Sequence, residues 1–181
     1  MRLSDLVGRQ DDVPGSWAKL DITGLTADSR DVEQGYLFAA LPGSQTDGAK
    51  FIEKALRSGA AAILVPKGVC AGDTLAVPVI EEDDPRRVLA RMAARFYESQ
   101  PEYAAAVTGT NGKTSVVSFL QQIWRGLGFQ AASLGTVGLE SPSGHRVLGH
   151  TTPDPVMLHR LLADIAGEGF THFAVEASSH G

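Results

Sequence analysis

Cysteine is almost missing from this chain: one residue, Cys70, in 181. A lone thiol forms no intramolecular disulfide framework and supplies no multi-cysteine zinc site. Basic charge is not in excess either. Sixteen Lys and Arg stand against 21 Asp and Glu, for a net charge of −5. Proteins that neutralise nucleic-acid phosphates carry a surplus of Lys and Arg, so no nucleic-acid partner is expected. No apolar run reaches the roughly 18 residues that a membrane-crossing helix needs. The opening MRLSDLVGRQDDV carries acids where a secretory leader has an apolar core. The expectation is a cytoplasmic protein with no membrane partner. Internal repeats and low-complexity tracts are absent too.

What remains is a globular composition, with 43% hydrophobic and 20% charged residues, sufficient to build a core. The length suits one domain or two small ones. Twelve basic and 15 acidic residues fall in 1–100, against 4 and 6 in 101–181, and all five histidines (His145, His150, His159, His172, His180) fall in the second stretch. Ser99-Gln100-Pro101-Glu102 reads as a linker between two domains, 1–100 and 101–181.

Strand and helix signals alternate through both stretches. In the first, Tyr36–Leu41 is an apolar run closed by Pro42-Gly43 and predicts a buried strand. Lys50–Ser58 predicts a helix with Phe51, Ala55 and Leu56 on its inner side and Gly59 at its end. Ala61–Val65 and Val77–Ile80 predict two more strands. Asp84-Pro85 supplies an N-cap and a first-turn proline for a helix whose face is Val88, Leu89, Met92, Ala93 and Phe96. In the second stretch, Tyr103–Thr108, Ala131–Leu134 and Thr171–Ala177 predict strands. Helices are predicted from Lys113 to Leu127 and from Asp154-Pro155 onward, the latter with Leu158, Leu161, Leu162 and Ile165 in register. This alternation points to an α/β fold with parallel sheets. Three strands and two helices over 81 residues leave an unpaired edge and a small core, the pattern of an incomplete domain.

The sharpest chemical feature is Gly109-Thr110-Asn111-Gly112-Lys113-Thr114-Ser115, placed after an apolar strand and before a helix. Glycines there let backbone N–H groups approach anionic oxygens closely, and the helix start adds partial positive charge. Lys113 is placed to lie along the β- and γ-phosphates of ATP, as the catalytic charge, and Thr114 to offer a hydroxyl to Mg²⁺. The general phosphate-loop pattern wants a further glycine at position 107, where this chain has Val107. Gly126, Gly128 and Ala131 fit the spacing of a dinucleotide fingerprint. They follow a helix and precede a strand, the reverse of the order that chemistry needs, so Gly126 and Gly128 are expected to terminate the helix. An N-K-x-D guanine motif is absent.

The loop resembles that of the Mur ligases, ATP-dependent enzymes that build the peptide of bacterial cell-wall precursors, whose shortened G-T-N-G-K-[TS]-[TS] form has no glycine at position 107. Three further segments carry the resemblance. Leu25-Thr26-Ala27-Asp28-Ser29-Arg30, with Gly35-Tyr36-Leu37-Phe38 and Ser44-Gln45-Thr46-Asp47-Gly48, is similar to the family's UDP-binding domain. Thr151-Thr152-Pro153-Asp154-Pro155 is similar to its substrate loop, and Glu176-Ala177-Ser178-Ser179-His180-Gly181 to its E-[VA]-S-S-H-G segment.

The resemblance implies a small N-terminal α/β UDP-binding domain followed by the opening part of a phosphate-loop, parallel-sheet ATP-binding domain, with the C-terminal domain lacking. It implies contacts to the UDP substrate from Ala27, Ser29, Ser44, Gln45 and Thr46; Ser44 stands where the family has histidine. Thr151, Thr152 and Ser178 are implied at the substrate, Gly109 to Ser115 at ATP, and Thr114 with Glu176 at Mg²⁺. The implied reaction adds a third amino acid, meso-diaminopimelate or L-lysine, to UDP-N-acetylmuramoyl-L-alanyl-D-glutamate. Two other classes stay open: a phosphate-loop kinase or nucleotidase, and a non-catalytic UDP-sugar-binding module.

Overall fold

Strand and helix alternate along the chain in a computed structural model that describes residues 1–8, 15–43, 47–70, 75–136, 138–142, 144–146 and 153–177. The chain separates into two units, Met1–Phe96 and Tyr97–Gly181. None of the described helices is long and apolar enough to cross a membrane.

Among its described residues the first unit is built on four parallel strands in sequence order: β1 (Gly24–Thr26), β2 (Tyr36–Ala39), β3 (Ala62–Pro66) and β4 (Val79–Glu82). Leu25 lies opposite Leu37, Phe38 opposite Ile63, and Leu64 opposite Ile80. Ala62, Ile63, Leu64 and Val65 of β3 are fully buried, as an inner strand covered on both faces requires. Phe38, Ile63 and Val65 pack with Ile52 and Ala55 of α2 (Ile52–Arg57). Helix α3 (Pro85–Tyr97) buries Leu89, Met92 and Ala93, and Asp84 caps it by accepting the Arg87 N–H at 3.0 Å. The Arg95 guanidinium donates to the carbonyls of Leu6 and Val7, each at 3.0 Å. It thereby satisfies the orphan end of the short helix α1 (Leu3–Val7).

Two expectations for this unit need correction. The helix expected over 50–58 opens as a 3₁₀ turn, Gly48–Phe51, in which Phe51 is 38% exposed; Ile52 takes the inner position instead. The strand expected over 77–80 runs instead over Val79–Glu82, with the Pro78 carbonyl accepting the Ile63 N–H at its start; Pro78 itself has no N–H to give the ladder. Helix α1 and strand β1 were not anticipated: five and three residues are too few to show a period.

Among its described residues the second unit contains five strands, β5 (Tyr103–Val107), β6 (Ala131–Gly135), β7 (Gly138–Ser141), β8 (Gly144–Arg146) and β9 (His172–Glu176), in the order β5-β9-β6-β7-β8. The last strand in sequence inserts between β5 and β6, parallel to both, and aligns Val107 with Glu176 and Ser133 with Ala174. The other two strands form an antiparallel hairpin on β6. The expectation of three parallel strands is corrected accordingly, to a parallel core with an antiparallel edge. Residues 136–146 lack apolar alternation, and their turns rest on Gly138 and Gly144 at φ 114° and 130°, so no strand signal was visible.

Side-chain alternation along a strand sends successive residues to opposite faces. Phe173 of β9 and Ala132 and Leu134 of β6 pack with Leu161, Leu162 and Ile165 of α5 (Pro155–Gly167), with Val175 joining them. The opposite face meets α4 (Lys113–Gly126), where the Trp124 ring lies edge-on to His172 at 5.0 Å. Tyr103 and Phe129 stack on the same imidazole at 4.8 and 4.2 Å. The buried Gln121 of α4 donates to the Glu140 carbonyl at 3.0 Å and ties the hairpin to the helix. Gly126 is the last residue of α4, and Gly128, at φ 90°, turns the chain away just after it. One row of α4, Val116, Phe119 and Ile123, continued by the C-cap Leu127, is 50 to 68% exposed, and β5 is the sheet's edge strand.

Phe173 is 1% exposed in the centre of this core, so Phe173→Ala is expected to lower unfolding free energy by about 3–5 kcal/mol. Asp154, whose carboxylate accepts the N–H groups of Val156 and Met157 at 2.8 and 3.1 Å, is expected to cost only about 1 kcal/mol on replacement by Ala. Urea unfolding of both variants checks the pair; similar losses at the two positions would contradict this assignment of core and cap.

Candidate functional site

The glycine loop leaves the sheet where β5 ends. The Val107 carbonyl accepts the Ala177 N–H at 2.9 Å, so the loop and the residues that follow β9 emerge at one edge. Gly109 and Gly112 have φ of 139° and 80°, values that a side chain makes costly. A Cβ on either would meet nothing within 4 Å. The glycines therefore serve backbone conformation, and the space beside them is open to a ligand. Gly112 caps α4, and the first helical bond runs from the Val116 N–H to the Gly112 carbonyl at 3.0 Å. The N–H groups of Lys113, Thr114 and Ser115 precede that bond and have no intrahelical acceptor, so with the helix dipole they suit an anion. The Lys113 ammonium donates back to the carbonyls of Gly109 at 2.7 Å and Thr110 at 3.5 Å, which brings its charge over the loop.

Glu176 faces the same helix. It shares the face of β9 with His172 and Ala174, and is 2% exposed. Its Oε1 accepts the Thr136 N–H at 3.1 Å. Thr136 follows β6 directly, and its hydroxyl lies 3.5 Å from that of Thr114. A Cβ on Gly135 would collide with Glu176 Oε1, so glycine at this point is what lets the carboxylate in. Three strand ends and the first turn of α4 thus bring Thr114, Thr136 and Glu176 together. Among the described residues no ion pair involves Glu176. A buried carboxylate without a cation is costly, and its hard oxygens near the Thr114 hydroxyl are donors of the kind that Mg²⁺ prefers.

In the first unit, the segment after β1 forms a tight turn. The Thr26 hydroxyl accepts the Asp28 N–H at 3.0 Å, and Asp28 accepts the Arg30 N–H at 2.8 Å. The Arg30 guanidinium grips the same carboxylate. That side-chain hydrogen bond, helped by the Arg30 N–H and the nearby Lys54 charge, lowers the Asp28 pKa from 3.8 to about 2. Ser29 is buried and its hydroxyl lies 3.4 Å from Lys54 Nζ; Ala27 is half-buried. Ser44, Gln45, Thr46, Thr151, Thr152 and Ser178, together with His150, Ser179 and His180, lie outside the described residues. Sequence reasoning missed Thr136 and Lys54. The Leu134-Gly135-Thr136 turn after a predicted strand was the available signal for the first; Lys54 comes from a helix 25 residues beyond Ser29 and had none.

Comparison with known proteins bears directly on this geometry. Residues 107–181 match a model described as the Mur ligase middle domain, and residues 21–97 match one described as the Mur ligase family, catalytic domain. The chain belongs to the Mur ligase family. Among curated Mur ligases, the UDP-N-acetylmuramoyl-L-alanyl-D-glutamate--2,6-diaminopimelate ligase of Brucella melitensis biotype 1 is 52% identical over 181 residues, covering all of this chain and 37% of that protein. The protein of the same name from Rhizobium meliloti is 49% identical over 186 residues, covering 38% of its length. This chain therefore spans little more than a third of the relatives it matches. A solved ligase of that name superposes with a TM-score of 0.80 at 29% identity, over all of this chain and 36% of that one. A MurF ligase from Thermotoga maritima, solved with ADP, shares the fold at a TM-score of 0.57 and 20% identity, over 86% of this chain and 32% of its own. The Mur ligase middle-domain match begins at Val107, where the loop leaves the sheet.

The low Asp28 pKa has a definite sign. Its contribution to stability is complete above pH 3.8 and is lost as pH falls toward about 2. Carbon-13 NMR titration of the Asp28 carboxyl is expected to place the midpoint near 2, returning toward 3.8 in Arg30→Ala. A wild-type midpoint at the ordinary value would reject the Arg30 contact.

Proposed function

We propose that the chain carries the UDP-precursor-binding and ATP-binding parts of an amide ligase that joins 2,6-diaminopimelate to UDP-N-acetylmuramoyl-L-alanyl-D-glutamate. The names of the relatives support the substrate pair. The observation that carries the ATP half is the open loop at Gly109 and Gly112, with Lys113 folded over it and the buried Glu176 close to Thr114 by way of Thr136. The proposed division of labour places the UDP end of the substrate on 1–100 and ATP on 101–181, in the cytoplasm where ATP is supplied.

The chemistry follows from what a carboxylate lacks. Its carbon is a poor electrophile and its oxygen a poor leaving group, so an amine does not displace it unaided. Transfer of the ATP γ-phosphoryl group to the substrate's terminal carboxylate gives an acyl phosphate and ADP. The amine of diaminopimelate then attacks the acyl carbon, the amide forms, and inorganic phosphate departs. In this reading the N–H groups of Gly112 to Ser115 hold the β- and γ-phosphates. Lys113 exchanges its loop carbonyls for phosphate oxygens and stabilises the charge spread over them during transfer. Thr114 and Glu176 would hold Mg²⁺, which would supply positive charge to offset that of the phosphates. Ala27, Ser29, Ser44, Gln45 and Thr46 hold the uridine diphosphate, and Thr151, Thr152 and Ser178 the muramyl-peptide part. Binding energy from the remote nucleotide helps place the reacting carboxylate.

Separate calorimetric titrations with ATP and UDP test the reading. Lys113→Ala is expected to weaken ATP binding roughly 10- to 100-fold, the loss of one charged hydrogen-bond donor, while UDP affinity stays within twofold. Retained ATP affinity would reject the loop assignment, and UDP binding without any ATP binding would favour a non-catalytic UDP-sugar module.

A further inference from the structure

Thr136 lies where three features of the second unit converge, and the proposed ligand set of Thr114 and Glu176 does not include it. Its backbone N–H donates to Glu176 Oε1 at 3.1 Å, its hydroxyl lies 3.5 Å from the Thr114 hydroxyl, and its own side chain is exposed. The two hydroxyls are at the outer limit of a hydrogen bond, where O–H to O distances cluster near about 2.8 Å. Adjacent ligands on an octahedral cation with bonds of about 2.1 Å sit about 3.0 Å apart. The observed spacing is thus half an ångström wider than two neighbouring ligands need, and drawing both oxygens onto one cation closes it. Glu176 is the second, independent observation. It is a carboxylate at 2% exposure, fixed on one oxygen by the Thr136 amide and, among the described residues, without an ion-pair partner.

Resting on the nucleotide reading above, we propose that Thr136 is a third ligand of the cation site: its hydroxyl oxygen joins those of Thr114 and Glu176 around the divalent cation that accompanies the nucleotide. Thr136 has a double hold on the site. Its N–H orients the carboxylate, a contact that any residue but proline preserves, whereas only a hydroxyl side chain supplies the oxygen. Gly135 completes the arrangement, since any Cβ there would displace the carboxylate that Thr136 holds.

The distinction between amide and hydroxyl makes the proposal testable. Thr136→Val keeps the branched shape and the N–H but removes the oxygen; Thr136→Ser keeps the oxygen. The full chain is titrated with Mn²⁺ in the presence of a non-hydrolysable ATP analogue, with bound Mn²⁺ followed by electron paramagnetic resonance. Thermal melts of each variant verify folding. Thr136→Val is expected to weaken Mn²⁺ about tenfold and to narrow the change in the bound-metal spectrum, with Thr136→Ser within twofold of wild type. Equal Mn²⁺ affinity in Val and wild type overturns the proposal. Equal loss in Ser and Val also overturns it, because the effect is then one of packing. If wild type binds the analogue but no Mn²⁺, the cation site falls and the phosphate loop survives. If it binds neither, the nucleotide reading itself fails, and this proposal with it.

Discussion

The pairing of β5 with β9 is the constraint on which the site depends. It aligns Val107, the last residue of β5, with Glu176, the last residue of the final strand. Because neighbouring parallel strands advance in the same direction, that single register brings the loop and the carboxylate out at one edge. A slip by one residue would turn Glu176 to the α5 face, away from Thr114. The apolar contacts of Phe173 and Val175 with α5 hold the register in place. A charged site is therefore positioned by the hydrophobic face opposite it.

The second consequence concerns order in space against order in sequence. Strand β9 is made last yet sits between β5 and β6, so neither β5 nor β6 finds its parallel partner until the chain has passed through the hairpin and α5. That insertion is also what buries Glu176, because a strand in the middle of a sheet has neighbours on both sides. Gly135 contributes by leaving room on the β6 side. The hairpin, anchored by Gln121 to α4, closes the far edge of the sheet. The row of exposed apolar residues on α4 remains on its outer side.

Much of the fold was legible. The apolar runs at 36–39, 62–66, 131–135 and 172–176 are strands and mostly buried, and the run at 103–107 is a strand at the sheet's edge whose residues are exposed or half-buried, because short apolar segments bounded by turn residues suit strands. The Asp84-Pro85 and Asp154-Pro155 pairs mark true helix starts, since the cap carboxylate and the fixed proline φ act locally. Phe51 and Ile52 were exchanged because the 3₁₀ turn changes the angle per residue, and helical phase read from sequence assumes one period throughout. The hairpin was invisible because its strands are held by a partner already in the sheet, not by their own alternation. In the site, Lys113 and Thr114 were legible because the loop is contiguous. Thr136 was not, for its neighbours are 22 and 40 residues away.

By itself, the order of residues determined the local elements, the glycine-bounded loop before α4 and the family to which the chain belongs. These depend on backbone preferences and spacings within a few residues, and such physics is written in consecutive positions. Only the tertiary structure decided the strand order, the mixed character of the second sheet and the meeting of Thr114, Thr136 and Glu176. Those depend on which distant strand wins an edge and in what register, a competition settled by packing across the whole unit.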